Sequence, residues 1–305
     1  MTKPKRNLAA SVHQKLLNFS KEQKDDFQSV LTRYALERFL YRLSQSPYQN
    51  QYILKGALLF SIWSDETHRP TRDLDLLGYG QTEISHLEQI FREICLTQVE
   101  PDGLEFKADE VAGSRIKENQ QYEGVRIRFR AFLSGTNTRT DLQIDIGFGD
   151  AVTPKAMEVE FPTILEQFPA PSLRAYPPET VIAEKFQAMV KLGIANSRLK
   201  DFYDIWFLCH NFEFKGPEIY LAIQATFGRR NTPLPQEIPS AFSAQFSQIK
   251  LKDWNAFISK NKLATNGASF NNVLSKLENF LMPPCSAAAK GEVFNKTWRQ
   301  SGYWE

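Results

Sequence analysis

The chain has 305 residues, with 37 Lys and Arg against 35 Asp and Glu, for a formal charge of +2. That balance excludes a strongly basic nucleic-acid coat or an acidic disordered tail as its main identity, so any nucleic acid must be gripped by a local patch. A hydrophobic content of 42% with 23 Phe and only 15 Gly supplies a packed core and excludes disorder or a fibrous repeat, and the length suggests two domains. Cys95, Cys209 and Cys285 are odd in number and form no Cys-x-x-Cys pair, which points to a reducing, cytoplasmic compartment rather than a disulfide framework or a zinc site. The basic start, Met1 to Arg6, is followed by no apolar run. No stretch approaches the roughly 18 apolar residues of a membrane span, so neither secretion nor a membrane is expected.

From Asp26 onward Phe27, Val30, Leu31, Tyr34, Ala35, Phe39 and Leu43 recur at steps of three and four, the stripe of a long amphipathic helix backing a sheet. Tyr52 to Gly56 reads as a short strand ending in a turn, and Ala57 to Trp63 as a buried helix. A strand, a glycine and then a helix is an order that suits phosphate, because first-turn N–H groups and a nearby Lys55 present positive charge. Thr71 to Leu77 alternates acid and leucine, the period of a half-buried strand, with Gly78 and Gly80 ending it. A surface helix over about Glu83 to Leu96 leads to Val125, Ile127, Phe129, Ala131 and Leu133, which alternate with Arg126, Arg128 and Arg130. This is a strand with one basic face, either solvated or able to track an RNA backbone. In Asp141 to Gly147 the residues Leu142, Ile144 and Ile146 face one way and Asp141, Gln143 and Asp145 the other.

Prolines crowd Phe168 to Ser172 and Tyr176 to Pro178, which places a domain boundary there: residues 1–168 as a core with N-terminal helices, residues 169–305 as a mainly helical domain. Glu179 to Leu192 and Arg198 to Asn211 read as two helices. The proline-rich Asn231 to Ser240 and the remainder read as short helices with loops.

The chemistry is concentrated in the acids. Asp73 and Asp75 share a strand face with Cα atoms about 6.7 Å apart, a spacing that lets two hard carboxylates share a Mg²⁺ ion whose other ligands are water and substrate phosphates. Asp145 is a candidate third ligand. Solvated edge acids are the bland alternative, but Asp is disfavoured in strands, and its placement on two of them asks for a reason. In the helix from Glu179, Val181, Ala188 and Leu192 form a stripe in which Lys185 takes a position normally apolar, so this lysine must snorkel or find an anion. Asp201 and Asp204, three apart along the border of the stripe Phe202, Ile205, Trp206 and Cys209, are its expected partners, as a functional cluster or as a structural pair between helices. His13, His68, His86 and His210 do not share ligand spacing, so no histidine metal site is expected.

The series Ile53-Leu-Lys-Gly-Ala57, Thr71-Arg-Asp-Leu-Asp-Leu76, Glu179-Thr-Val-Ile-Ala-Glu-Lys185 and Arg198-Leu-Lys-Asp-Phe-Tyr-Asp-Ile205 resembles the AbiEii/AbiGii toxin family, with its MenT-like nucleotidyltransferases. The resemblance runs over about Tyr52 to Leu208. It implies an α+β fold: a polymerase-β-like nucleotidyltransferase mixed sheet flanked by helices, with a helical C-terminal domain. It also implies Mg²⁺, a nucleoside triphosphate, an RNA acceptor that in related enzymes is the 3′ end of tRNA, and a cognate antitoxin protein. Carried over position by position, Lys55, Gly56, Ala57 and Thr71 bind the nucleotide, and Asp73, Asp75 and, in the wider fold, Asp145 hold the metal. Lys185 takes the triphosphate, and Asp201 or Asp204 completes the site. All are expected around one pocket sized for a charged nucleotide. Asp145 is also a candidate for assisting deprotonation of the attacking hydroxyl. The family usually has a second glycine and then a hydroxyl residue where this chain has Ala57 and Leu58. That departure is the best support for a binding module without turnover; transfer to a protein or small molecule is the other alternative.

Overall fold

The structure is a computed structural model that describes residues 5–64, 68–69, 71–118 and 122–305; the first four residues of the basic start lie outside it. The chain divides into two compact units, residues 1–149 with 157–175, and residues 150–156 with 176–305.

The first unit contains, in order, helices α1 (Lys5–Glu22) and α2 (Phe27–Gln45), strand β1 (Tyr52–Lys55), the one-turn α3 (Phe60–Trp63), β2 (Asp73–Gly78), α4 (Ile84–Leu96), and strands β3 (Leu104–Phe106), β4 (Ala112–Glu118), β5 (Tyr122–Leu133), β6 (Arg139–Phe148), β7 (Met157–Glu160) and β8 (Ser172–Ala175). Among the described residues these strands form one mixed sheet in the order β3-β5-β6-β2-β1-β8-β7, with β4 also on β5. The pairs β2/β6 and β1/β8 are parallel, and the rest are antiparallel. All three stretches of alternating residues behave as their period requires: Leu74, Leu76, Leu142, Ile144, Ile146, Val125, Ile127 and Phe129 are buried on one face. On that face Phe39 of α2 meets the rings of Phe91, Phe106 and Phe129 at 5.2 to 6.0 Å between centroids. Between the two proline clusters, β8 joins the edge of β1.

Helix α2 starts where expected: Asp26 caps it by accepting the Ser29 N–H. Its sequence reads as amphipathic, yet nearly its whole circumference is buried, because it lies among α1, α4, β6 and β8. Its polar residues therefore carry internal bonds. Thr32 and Thr140 share a hydroxyl bond of 2.6 Å, Arg42 donates to both oxygens of Asp102 at 2.6 and 3.2 Å, and Tyr34 donates to the Asp102 carbonyl at 2.7 Å.

The second unit is helical: α5 (Pro178–Leu192), α6 (Leu199–Asn211), the short β9 (Phe214–Lys215), α7 (Gly216–Arg229), α8 (Ala244–Lys260), α9 (Phe270–Lys290) and β10 (Thr297–Trp298), which pairs with β9. The expectation of short helices beyond Asn231 is corrected: α8 has 17 residues and α9 has 21. Serine caps, Ser243 and Ser269, start both, and α9 continues through Pro283 and Pro284 before ending at left-handed Gly291. Phenylalanines that look scattered in the sequence converge here: Phe202 stacks on Phe246 at 5.2 Å and Phe270 on Trp254 at 4.6 Å. All three cysteines are free and buried, and burial pushes each thiol up to about 12. No described helix is long and apolar enough to cross a membrane.

Glu37 of α2 is 1% exposed, ion-paired with Arg38 at 2.9 Å and accepting the Ile164 N–H at 2.7 Å. Burial outweighs these partners and pushes its carboxyl up to about 7 from 4.5. A carboxyl raised on folding favours the fold while it is protonated, so its contribution is full below about 4.5 and is lost as pH climbs through about 7. Between about pH 5 and about pH 8 the thermal midpoint of Glu37→Gln is therefore expected to fall less than that of the parent. Equal falls in a melting series would remove Glu37 from this role.

Candidate active site

On the sheet face turned away from Phe39, four charged residues stand in one row across four strands. Lys55 on β1 is opposite Asp75 on β2, Asp75 is opposite Asp145 on β6, and Asp145 is opposite Arg126 on β5. Neighbouring strands are about 4.8 Å apart, so the two acids are adjacent. The next row places Asp73 opposite Gln143 and Gln143 opposite Arg128. Asp73 is exposed and Asp75 half-buried, while Leu74 and Leu76 between and beyond them are buried. The shared face expected for Asp73 and Asp75 is thus present, and register adds Asp145 and Lys55 to it.

Gly56 has a structural reason to be glycine. Its φ of 77° and ψ of −157° lie in a region that only glycine enters readily. A Cβ on Gly56 would come within 2.0 Å of Asp75 Oδ2 and 2.7 Å of Asp75 Cβ and Cγ. The Asp75 carboxylate is seated against the bare Cα, in the volume that a methyl group would fill. The segment after it differs from the expected helix: Ala57–Leu59 is a 3₁₀ turn and α3 adds a single α-helical turn. So short an element carries little macrodipole, which leaves local N–H groups and Lys55 as the positive features there. Ala57 is buried at 8% exposure. Thr71 precedes β2 and its hydroxyl bonds the Asp73 carbonyl at 3.3 Å. His68 is buried and stacks on Phe60 at 3.8 Å, so it packs beneath this turn.

The arginines of β5 are tied to the sheet. Arg126 donates from Nε to Asp145 Oδ1 at 2.8 Å and from its terminal nitrogen to Oδ2 at 2.7 Å, a bidentate fork. Arg128 bonds the side chain of Gln143, and Arg130 forks onto Glu110. The hydrogen bonds that Arg126 donates to Asp145, with the charges of Asp145, Asp73 and Asp75, hold its guanidinium above its ordinary value. Arg126 was expected only as part of a basic face; its place on Asp145 is the feature of this sheet that residue type alone does not reveal.

Asp73 and Asp75 suit a hard divalent cation by donor chemistry, as two carboxylates on one strand face, one of them backed by an open glycine. Among the described residues no three Asp, Glu, His or Cys side chains stand close enough together to hold a metal ion. The remaining ligands would be water and substrate oxygens, as is usual for Mg²⁺.

Lys185, Asp201 and Asp204 belong to the second unit and form a cluster of their own. Lys185 Nζ is 2.6 Å from Asp201 Oδ1 and 2.9 Å from Asp204 Oδ2, and Arg198 Nε is 3.2 Å from Asp201 Oδ2. The lysine therefore binds both candidate acids. The acids are not at a helix border: they are 2% and 0% exposed, because α6 is covered by α5, α8 and α9. Burying these charges is costly unless they are paired, and here each acid is.

A family profile described as "Nucleotidyl transferase AbiEii toxin, Type IV TA system" matches residues 38–276. Two solved structures from Helicobacter pylori are similar to this chain. One is JHP933, at 13% identity, with 87% of this chain and 94% of that one covered and a TM-score of 0.49. The other is a candidate nucleotidyltransferase, at 14% identity, with 88% and 100% covered and a TM-score of 0.47. No curated protein matches the chain.

The seat of Asp75 on Gly56 can be tested by stability. Gly56→Ala is expected to cost about 1–3 kcal/mol, from backbone strain and collision together. Gly80→Ala, also at positive φ but with nothing within 4 Å of its Cβ, is expected to cost less. Asp75→Ala should recover part of the Gly56→Ala loss in a double-mutant cycle read by denaturant unfolding. Additive losses would show that the two residues do not interact.

Proposed function

The chain belongs to the AbiEii family of nucleotidyl transferase toxins of type IV toxin–antitoxin systems, and from that premise we propose that it transfers a nucleoside monophosphate from a nucleoside triphosphate to an RNA acceptor, the 3′ end of tRNA, with Mg²⁺ as cofactor. The observation that carries this reading is the charged row across the sheet: two acids side by side on β2 and β6, next to Asp73 and flanked by Lys55 and Gly56.

In this reading Asp73 and Asp75 hold the metal, which when bound neutralises phosphate oxygens and lowers the pKa of the acceptor hydroxyl. Lys55 offers an ammonium to the phosphates, Gly56 and Ala57 let the main chain approach them, and Thr71 fixes the entry to β2. Lys185 contacts the triphosphate, with Asp201 and Asp204 fixing its ammonium in place. Asp145 completes the acid face. The acceptor oxygen attacks the α-phosphorus, the bond to the bridging oxygen of the β-phosphate breaks in line, pyrophosphate leaves, and the hydroxyl proton passes to solvent. Positioning and charge neutralisation supply most of the acceleration. A cognate antitoxin is the expected protein partner.

Incubating the full chain with each α-labelled nucleoside triphosphate, Mg²⁺, total tRNA and a protein mixture is expected to label the tRNA 3′ end. Asp73→Asn should reduce that label at least about a hundredfold without changing the thermal midpoint. Label on protein would redirect the acceptor, and full activity in Asp73→Asn would end the metal assignment. For the helical cluster, Asp204→Asn keeps size and loses charge. It is expected to lower the transfer rate about tenfold and raise KM for the nucleotide. A lowered melting midpoint with unchanged kinetics would make the cluster structural.

A further inference from the structure

We propose that Arg126 is a positioning residue that keeps Asp145 out of the metal's coordination sphere, so that the protein's own ligands are the two carboxylates Asp73 and Asp75, with Asp145 and Arg126 a fixed neutral pair beside them. The proposal rests on the reading of Asp73 and Asp75 as the metal pair.

The geometry leads to it in three steps. A carboxylate has about four lone-pair positions, and the fork from Arg126 takes one on each oxygen of Asp145 in bonds of 2.8 and 2.7 Å. A cation drawn to Asp145 must therefore approach beside a guanidinium whose charge opposes it, or break two charge-assisted bonds. Second, the fork is fixed by the fold: Arg126 and Asp145 are direct partners in an antiparallel pair that runs in register from Val125 to Phe132. Arg126 cannot leave by a small slip of the strand, because a shift of one residue turns Val125 and Ile127 out of the core. Third, the three acids do not gather as a set: among the described residues no such trio is close enough to hold a metal ion, although Asp75 and Asp145 are register neighbours. Asp145 is turned to β5, whereas Asp75 is turned to Gly56 on β1. The neighbouring acids thus point apart, each toward its own outer strand.

The arrangement has a functional consequence. Without Arg126, the Asp145 charge would add to those of Asp73, Asp75 and Lys55 on this face, and a free divalent cation would bind more tightly. With Asp145 neutralised that gain is withheld, so tight binding needs the additional oxygens of a nucleotide phosphate. Metal and nucleotide would then enter together, and the toxin would not hold a resident ion between turnovers.

Direct binding of Mn²⁺ to the full-length protein without nucleotide, followed by electron paramagnetic resonance, tests this. Arg126→Met should bind Mn²⁺ about tenfold or more tighter than the parent, within the range by which metal-site neighbours tune affinity. Asp145→Asn alone, which leaves the Arg126 charge unpaired beside the ion but removes no ligand, should weaken binding less than Asp73→Asn does, and Arg126→Met combined with Asp145→Asn should return to the parent value. Arg128→Met removes the same charge one row away and should leave affinity unchanged. Arg126→Lys, which keeps the charge without the fork, covers the case in which the methionine variant does not fold, and should lie between parent and Arg126→Met. Unchanged or weaker binding in both Arg126 variants would overturn the proposal. So would tightening by Arg128→Met equal to that by Arg126→Met, or a loss in Asp145→Asn as large as that in Asp73→Asn. Parent affinity in Asp73→Asn would instead end the metal assignment itself, a result that the Arg126 series does not imitate.

Discussion

Two carboxylates on neighbouring parallel strands are the constraint around which the first unit is arranged. At a strand separation of about 5 Å, unit charges repel by roughly 1–3 kcal/mol between the limits of bulk water and a protein surface. Parallel pairing of β2 and β6 allows no escape, because register fixes Asp75 opposite Asp145 while Leu74, Leu76, Ile144 and Ile146 hold the core face. The conflict is relieved outward. Asp145 turns to Arg126 on one side, and Asp75 turns to the bare Cα of Gly56 on the other. A guanidinium and the open space beside a glycine, far apart in sequence, thus keep the two carboxylates turned away from each other.

The second unit meets a related cost differently. Lys185, Asp201 and Asp204 lie within a helical core whose other groups are largely aromatic and aliphatic. Removing such charges from water costs several kcal/mol per ion, and well-packed apolar residues would often be as stable. Pairing Lys185 with both acids, and Arg198 with one of them, prevents an orphaned charge. Two helices that accept this cost on three positions are locally at odds with their own packing. Such departures from local consistency are expected where function has been placed.

The sequence made much of this legible, for identifiable reasons. Alternation over Thr71–Leu77 and Asp141–Gly147 gave the faces of Asp73, Asp75 and Asp145 directly, because a period of two leaves one choice once the leucines and isoleucines are buried. Lys185 announced itself as a charge in an apolar stripe. What stayed hidden was pairing. Nothing in the local pattern says that β2 lies between β1 and β6, since the segment from Gly56 to Arg72 separates the first two and three strands and a helix separate the others. The bond from Arg126 to Asp145 had a signal that composition masks. Counting outward from the turn at Gly135, where the Leu133 N–H bonds the Thr138 carbonyl, brings Arg126 opposite Asp145. The depth of Asp201 and Asp204 was missed because a helix reads as having an outer face until its neighbours are known, and α8 and α9 looked like short pieces interrupted by proline.

Register also bears on the departure at Ala57 and Leu58. In the family pattern a second glycine follows the lysine and glycine, and a glycine is required where φ is positive or where the main chain is approached too closely for a methyl group. Gly56 meets both conditions, with φ of 77° and Asp75 against its Cα. Ala57 meets neither: it is absent from the positive-φ residues of the described chain, and its methyl group is buried. The backbone turn therefore needs one glycine, and this chain has kept it. Alanine at the next position costs the turn nothing in conformation, while Leu58, 4% exposed, adds apolar surface to the core in place of a hydroxyl. The departure puts apolar packing where the family pattern has a hydroxyl residue, and it leaves the placement of Lys55 and Asp75 to the strands that fix it.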